Sequence, residues 1–409
     1  MSQENQTQGK PPSPDPDKRY FRGQEGRYFG KRLLDGTSYW EEKASPRFEI
    51  EYQELPQPTG PYPYRLDLAT VLAKDDMDRI KGQGKLVFHL TGDVGGITYP
   101  EHQHAVATAM EQDYIIPPGD PTPKFLYIVG DIVYNFGESK EYYSQFYEPY
   151  TTYPGPIFAI PGNHDGMVAP GSSEPSLKAF MDNFCASRPH LTKESVDTGR
   201  DTMTQPHCYW TLTTPYAILI GLYTNVVEGG ELDNNQITWL HNELAEAKKN
   251  DDKSLILTMH QPVYSYGRLH GGSERMYQIL EDATKETGKR PDMVVAGHDH
   301  NYQRFTRTLP NNQQIPYLVA GGGGHWLLDP VNEPTSPHPD VKPITHVDDK
   351  HGYLRLTVSS EAGKATEIRG DYITVPSSQM SWRRGARVES SQADSFILNL
   401  ATHQVGTVD

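Results

Sequence analysis

Apolar residues along this chain fall in short blocks separated by loops. Leu86–Leu90, Phe125–Val129, Ile157–Ile160, Leu255–Met259, Met293–Ala296 and Ile315–Ala320 are each four to six residues long and almost wholly apolar. Runs this short predict strands buried on both faces. Between them the spacing becomes helical. Asp233 can cap a helix over Gln236–Lys248, where Ile237, Leu240 and Leu244 share one face. Further helices are predicted at Ala105–Gln112, near Pro175–Phe184 and at Glu274–Thr287, and the aromatic-rich stretch Ser139–Tyr147 also reads as helical. Tyr209–Leu212 and Ala217–Leu222 read as paired strands. Strands alternating with helices predict an α/β fold built of βαβ units. From Tyr353 onward, apolar and polar residues alternate, which predicts a hairpin or meander, with Ser395–Leu400 closing a sheet.

The pattern also divides the chain. Residues 1–18 are polar and rich in proline and read as a disordered tail. Residues 19–84 form an extension packed on the core, including an alternating strand at Phe48–Tyr52 and a proline-broken stretch after it. The main domain covers 85–375, and 376–409 supplies strands that complete a sheet. The 36 glycines and 33 prolines imply many loops between short elements, and no internal repeat is visible.

A formal net charge of −15 argues against nucleic acid or an anionic membrane surface as a partner. The N-terminus has no apolar segment of the kind that begins a secretory signal, and no apolar run approaches a membrane span. A soluble, cytoplasmic protein is the default expectation, although a processed secreted form would look the same. Cys185 and Cys208 cannot build a disulfide framework; two ordinary thiols or one bridge remain open.

The chemistry lies where the strands end. Gly92-Asp93, Gly130-Asp131, Gly162-Asn163, His260 and Gly297-His298-Asp299-His300 each follow an apolar block. Sites in open α/β sheets collect at the carboxyl ends of strands, and glycines there suit sharp turns. A lone His-x-His pair would be as well explained by chance. Its recurrence with Asp, Asn and His at four other strand ends favours a site. Carboxylates mixed with imidazoles describe Fe, Mn or Zn. The six residues Asp93, Asp131, Asn163, His260, His298 and His300 exceed one tetrahedral zinc and suit two metals sharing a carboxylate. Such a site carries its own positive charge, so an anionic substrate can approach an acidic protein. Gly321–Gly324 lacks the Lys-Ser/Thr ending of a phosphate loop and reads as a close backbone approach at the rim. His102 and His104 read as loop histidines near the mouth, and His325 as a candidate behind the site.

The ordered set Gly92-Asp93-x-Gly95, Gly130-Asp131-x-x-Tyr134, Gly162-Asn163-His164-Asp165, His260 and Gly297-His298-x-His300 resembles the calcineurin-like metallophosphoesterases, and more narrowly the purple acid phosphatases. Most of that superfamily has His where Gly95 stands. Purple acid phosphatases have Gly there and a tyrosine at the place of Tyr134. The resemblance implies a four-layer α-β-β-α sandwich of two mixed sheets flanked by helices. It implies that Asp93, Asp131, Tyr134 and His300 hold a first metal, Fe(III), with Asp131 bridging. Asn163, His260 and His298 would complete a second site for Fe(II), Zn(II) or Mn(II). His164 would face the phosphate and, with His270 and with Asp165 orienting His164 or a ligand, make up the catalytic set. Plant members have a further histidine where Leu269 stands here. For single residues a plainer reading stays open: a packed core tyrosine for Tyr134, a loop histidine for His270, a turn aspartate for Asp165. The implied activity is hydrolysis of phosphate monoesters, with a small phosphorylated substrate and inorganic phosphate as partners. A phosphodiesterase or nucleotide hydrolase of the same superfamily, and a non-catalytic metal-binding protein, are the alternatives.

Overall fold

The computed structural model describes residues 52–408 except 118, 196, 333–337 and 377–386. The tail at 1–18, the extension up to residue 51 and all but Tyr52 of the strand expected at Phe48–Tyr52 lie outside the described residues; Tyr52 is in no strand. The strands of the first half are β1 (Arg65–Asp67), β2 (Lys85–Thr91), β3 (Pro123–Val129), β4 (Ile157–Ile160), β5 (Trp210–Thr213), β6 (Ala217–Gly221), β7 (Ser254–Thr258) and β8 (Met293–Ala296). They are followed by β9 (Tyr302–Thr308), β10 (Gln314–Ala320), β11 (Val341–Val347), β12 (Gly352–Glu361), β13 (Lys364–Thr374), β14 (Ser391–Asn399) and β15 (Gln404–Thr407). The helices are α1 (Lys74–Gln83), α2 (Glu101–Gln112), the single turn α3 (Asn163–Gly166), α4 (Lys178–Phe184), α5 (Asn234–Ala247) and α6 (Glu274–Thr287).

Two mixed sheets result. One has the order β1-β5-β6-β7-β8-β10-β9-β11, the other β15-β14-β13-β12-β2-β3-β4. Each holds a parallel section: β6-β7-β8-β10 in the middle of the first and β2-β3-β4 at one side of the second. The period-2 alternation of strand side chains sorts each apolar block onto two faces. Phe125, Tyr127 and Val129 of β3 join Leu86, Phe88 and Leu90 of β2 in one core cluster with Ile256, Met293, Val295 and Leu318 from the other sheet. Leu126, Ile128, Leu255, Leu257, Val294 and Val319 point the other way, into a cluster with Val106, Met110, Leu240, Leu244, Ile279 and Leu280 from the helices. The blocks are apolar throughout because both faces are covered. Each such side chain contributes about 1.5–3 kcal/mol on burial.

The helix ends follow their capping residues. Asp233 accepts from the Gln236 amide at 2.7 Å, Ser273 Oγ from the Met276 amide at 3.0 Å, and Gly288 closes α6 at φ 65°. Residues 52–84 belong to the same compact unit as the rest, with β1 pairing with β5. Ser139–Tyr147 forms a 3-10 turn and a π turn in place of a regular helix. His102 and His104 lie on α2, not on a loop: Glu101 in the first turn favours a helix start one turn earlier than the apolar pattern indicated. Cys185 and Cys208 are both buried free thiols. Among the described residues no helix is long and apolar enough to cross a membrane.

Candidate metal centre

The parallel strands of both sheets end at the same edge, and their loops interlock. The Asp93 amide donates to Gly130 O at 3.0 Å, Val94 to Asp131 O at 3.0 Å, and Gly297 to His260 O at 3.0 Å. Gly92 donates across to Ala320 O of the other sheet at 2.8 Å. The left-handed turns needed to swing side chains off the strands fall partly on the functional residues themselves. Asp93, Asp131 and His298 have φ of 58°, 53° and 73°. Non-glycine residues held there cost on the order of 1–3 kcal/mol each. Of the neighbouring glycines, Gly130 takes such a turn itself, at φ 97°. Gly162 instead makes room: a Cβ there would stand 2.1 Å from Asp131 Oδ1. Gly321, first of the four glycines, lets the backbone pass Asp93, with a Cβ at 2.6 Å from Oδ2.

All seven residues proposed as ligands converge, each almost fully buried. Asn163 Oδ1 lies 3.0 Å from His260 Nε2 and 3.0 Å from His298 Nδ1. The Tyr134 hydroxyl lies 3.3 Å from Asp93 Oδ1 and 3.3 Å from His300 Nε2. Asp131 touches both groups. Its Oδ2 is 3.3 Å from His260 Nε2, and its charge acts on the Tyr134 phenol. The imidazoles are aimed by their outer nitrogens: His260 Nδ1 meets Val129 O at 2.8 Å and His300 Nδ1 meets Leu327 O at 3.1 Å. Each therefore presents Nε2 to the centre, the tautomer control seen at metal-binding histidines.

Gly95 explains the tyrosine. A Cβ at that position would lie 2.6 Å from Tyr134 Cδ2 and 2.6 Å from Gln145 Oε1. A residue with a side chain there would displace the Tyr134 ring. Gln145, which the sequence pattern did not single out, clamps the Tyr134 backbone: its Oε1 accepts from the amide at 2.9 Å and its Nε2 donates to the carbonyl at 2.7 Å.

The electrostatics fit bound cations. Burial pushes Asp93 well above the ordinary carboxylate range, the Asp131 charge adds to this, and His260 only partly offsets it. Burial acts on Asp131 too, but the His260, His164 and His298 imidazoles hold it low. Burial opposes a charge on His260, yet the carboxylates of Asp131 and Asp93 raise it to about 9. Burial and then both carboxylates drive Tyr134 well above the usual phenol value. Two buried carboxylates and a phenol sharing one small volume are a donor set that a strongly acidic cation satisfies. The Asp93–Asp131–His260 donor atoms lie within 4.8 Å of one another, as a cation requires.

His164 is half-buried at the edge of this group. Its amide donates to Asp131 Oδ1 at 3.0 Å, and its Nδ1 meets Asn135 O at 2.9 Å. Asp165, expected to orient His164 or a ligand, acts on the ligand loops and not on the His164 ring: its carboxylate accepts from the amides of Ile132, Val133 and Gly162 at 2.8–3.2 Å. Burial and the Asp131 charge raise it to about 7. It ties the Asp131 loop to the Asn163 turn and so is a positioning residue. His270 is buried against His298, with ring centroids 4.0 Å apart. His325 packs on Tyr134 at 4.5 Å and on His300 at 4.1 Å. Asp299, between the two histidines, points away and pairs with Ser265 Oγ. Glu228, missed in the sequence, forms a second group of close donors with His270 and His298.

The chain is similar to known phosphoesterases. The pattern of the calcineurin-like phosphoesterase family matches residues 86–302. Purple acid phosphatase 21 of Arabidopsis thaliana is 25% identical over 210 residues, 49% of this chain and 43% of that protein. The Fe(3+)-Zn(2+) purple acid phosphatase 12 of the same plant is 26% identical over 178 residues, 43% of this chain and 33% of that protein. The matched segment is thus less than half the length of these relatives. A purple acid phosphatase from yellow lupin (Lupinus luteus) seeds superposes with a TM-score of 0.53 at 15% identity, over 77% of this chain and 54% of that one.

Proposed function

Because the chain belongs to the calcineurin-like phosphoesterase family, we propose that it is a dinuclear metal-dependent phosphomonoesterase of the purple acid type. The observation that carries this reading is the convergence of Asp93, Asp131, Tyr134, Asn163, His260, His298 and His300 around two buried carboxylates. Asp93, Asp131, Tyr134 and His300 would hold the first metal, and Asn163, His260 and His298, with Asp131 shared, the second. Tyr134 argues for Fe(III) in the first position, because only a strongly acidic cation deprotonates a phenol that burial and two carboxylates hold protonated. A similar plant protein bears the name Fe(3+)-Zn(2+) purple acid phosphatase, which supports Zn(II) among the candidates for the second. When bound, such a pair supplies hydroxide near neutral pH and positive charge against phosphoryl oxygens.

The chain's own residues then divide the work. The Val129 and Leu327 carbonyls keep His260 and His300 in the tautomer that presents Nε2. The Asn135 carbonyl engages His164 Nδ1, which leaves Nε2 for a phosphoryl oxygen or for protonating the departing alkoxide. His270, packed on His298, would meet the phosphate from the second-metal side. Asp165 keeps the loops of Asp131 and Asn163 in register. The test is steady-state hydrolysis of p-nitrophenyl phosphate against bis-p-nitrophenyl phosphate by the metal-loaded protein. A clear preference for the monoester is expected. A preference for the diester would replace this reading with a phosphodiesterase.

A further inference from the structure

His260 and His300 rest their outer nitrogens on backbone carbonyls. His298 is different. Its Nδ1 faces Asn163 Oδ1 at 3.0 Å, and its Nε2 faces a carboxylate, Glu228 Oε1, at 3.7 Å. The same oxygen lies 3.7 Å from Nδ1 of His270. Glu228 therefore stands between one residue of the centre and one on the substrate side.

The backbone around Glu228 is built to keep it there. Gln261, the residue after His260, donates from Nε2 to Val227 O at 3.0 Å. Ser273, three residues past His270, donates from Oγ to Gly229 O. The residues on both sides of Glu228 are thus anchored by the segments that carry His260 and His270. Gly229 and Gly230, both at φ 77°, make the turn that returns the chain toward α5. Ser273 also caps α6, so the loop position is coupled to a whole helix. The side chain itself is 17% exposed, near the mouth of the centre.

We propose that Glu228 is a positioning residue whose carboxylate orients both His298 and His270, and so links the second metal position to phosphate binding. This rests on the phosphoesterase reading above. At 3.7 Å the two contacts are ion-pair distances, longer than hydrogen bonds, and a carboxylate aimed in this way at the outer nitrogen of a ligating imidazole biases its tautomer and rotation and makes it a better donor. Sharing the carboxylate with His270 fixes the second ring relative to the first. Glu228 lies on the loop after β6, outside every strand-end motif, which is why the sequence pattern gave no hint of it.

The test is calorimetric titration of the metal-free, full-length chain with Zn(II), comparing wild type with Glu228→Ala and the isosteric Glu228→Gln. Wild type is expected to bind two equivalents, Zn(II) in the first position being held through Asp93, Asp131 and His300 with Tyr134 left protonated. Glu228→Ala should weaken one of them by about 10- to 100-fold and leave the other unchanged. Glu228→Gln, whose amide oxygen can still accept, should recover part of that loss, and its KM for p-nitrophenyl phosphate should rise more than its kcat falls. Unchanged affinity for both equivalents in Glu228→Ala would overturn the inference and leave the phosphatase reading standing. A third equivalent in wild type, lost in Glu228→Ala, would overturn it by making Glu228, His270 and His298 a cation site of their own. A wild-type chain that binds no Zn(II) would overturn both.

Discussion

Two buried charged groups in this protein are built to opposite rules. Arg304 on β9 and Asp394 on β14 join the two sheets through a bidentate pair, Nε–Oδ2 at 2.6 Å and Nη2–Oδ1 at 2.8 Å. Tyr302 donates to the same carboxylate at 2.7 Å, and the guanidinium sits 5.1 Å over the Phe396 ring. One positive charge meets one negative charge, and that carboxylate takes three hydrogen bonds. At the candidate metal centre, Asp93 and Asp131 crowd each other, a phenol is held protonated beside them, and three residues occupy left-handed backbone. The first group is complete within the chain. The second has more acidic and strained groups than folding calls for, a donor set of the kind that marks a functional site and that a cation would satisfy.

This contrast can be broken by experiment. The largest expected effect is on activity. Asp93→Asn should lower phosphatase turnover by roughly 10³-fold or more, while the thermal midpoint of the metal-free chain stays level or rises, because a buried carboxylate that resists ionisation has been made neutral. A marked loss of metal-free stability in that variant would mean that Asp93 serves the fold. Asp394→Ala should do the reverse. It leaves Arg304 buried and unpaired, at a cost of about 3–5 kcal/mol, read as a shift in urea midpoint. Metal affinity of the protein that remains folded should be unchanged. Tyr134→Phe should remove the visible band of the iron-loaded protein while costing only about 1 kcal/mol, the worth of a buried hydrogen bond; denaturant titration with absorption spectra checks both. The smallest effect is expected for His270→Ala, where KM should rise several-fold with metal content unaltered, measured by steady-state kinetics beside metal analysis.

Much of this contrast was legible in the chain. The apolar blocks marked the central strands because both of their faces are buried, and the ligand-type residues stood out because they follow those blocks within a few positions. What was misread depends on direction. His164 and Asp165 are neighbours on one helical turn, so their side chains diverge by about 100°, and Asp165 turns to the backbone amides. What was missed depends on tertiary contact. Gln145 reaches the Tyr134 backbone from 11 residues away, and Glu228 reaches His298 from a loop between β6 and α5. The Arg304–Asp394 pair spans 90 residues. No periodicity or local spacing encodes such meetings.

The central claim is that the crowded acidic groups of Asp93, Asp131 and Tyr134 are there to hold two metal ions. Metal analysis combined with an absorption spectrum of the purified full-length protein tests it most directly. The account predicts two metal ions per chain, one of them iron, and a visible tyrosinate-to-iron band. A purified, folded protein that takes up no metal and shows no such band after incubation with iron and zinc would contradict it.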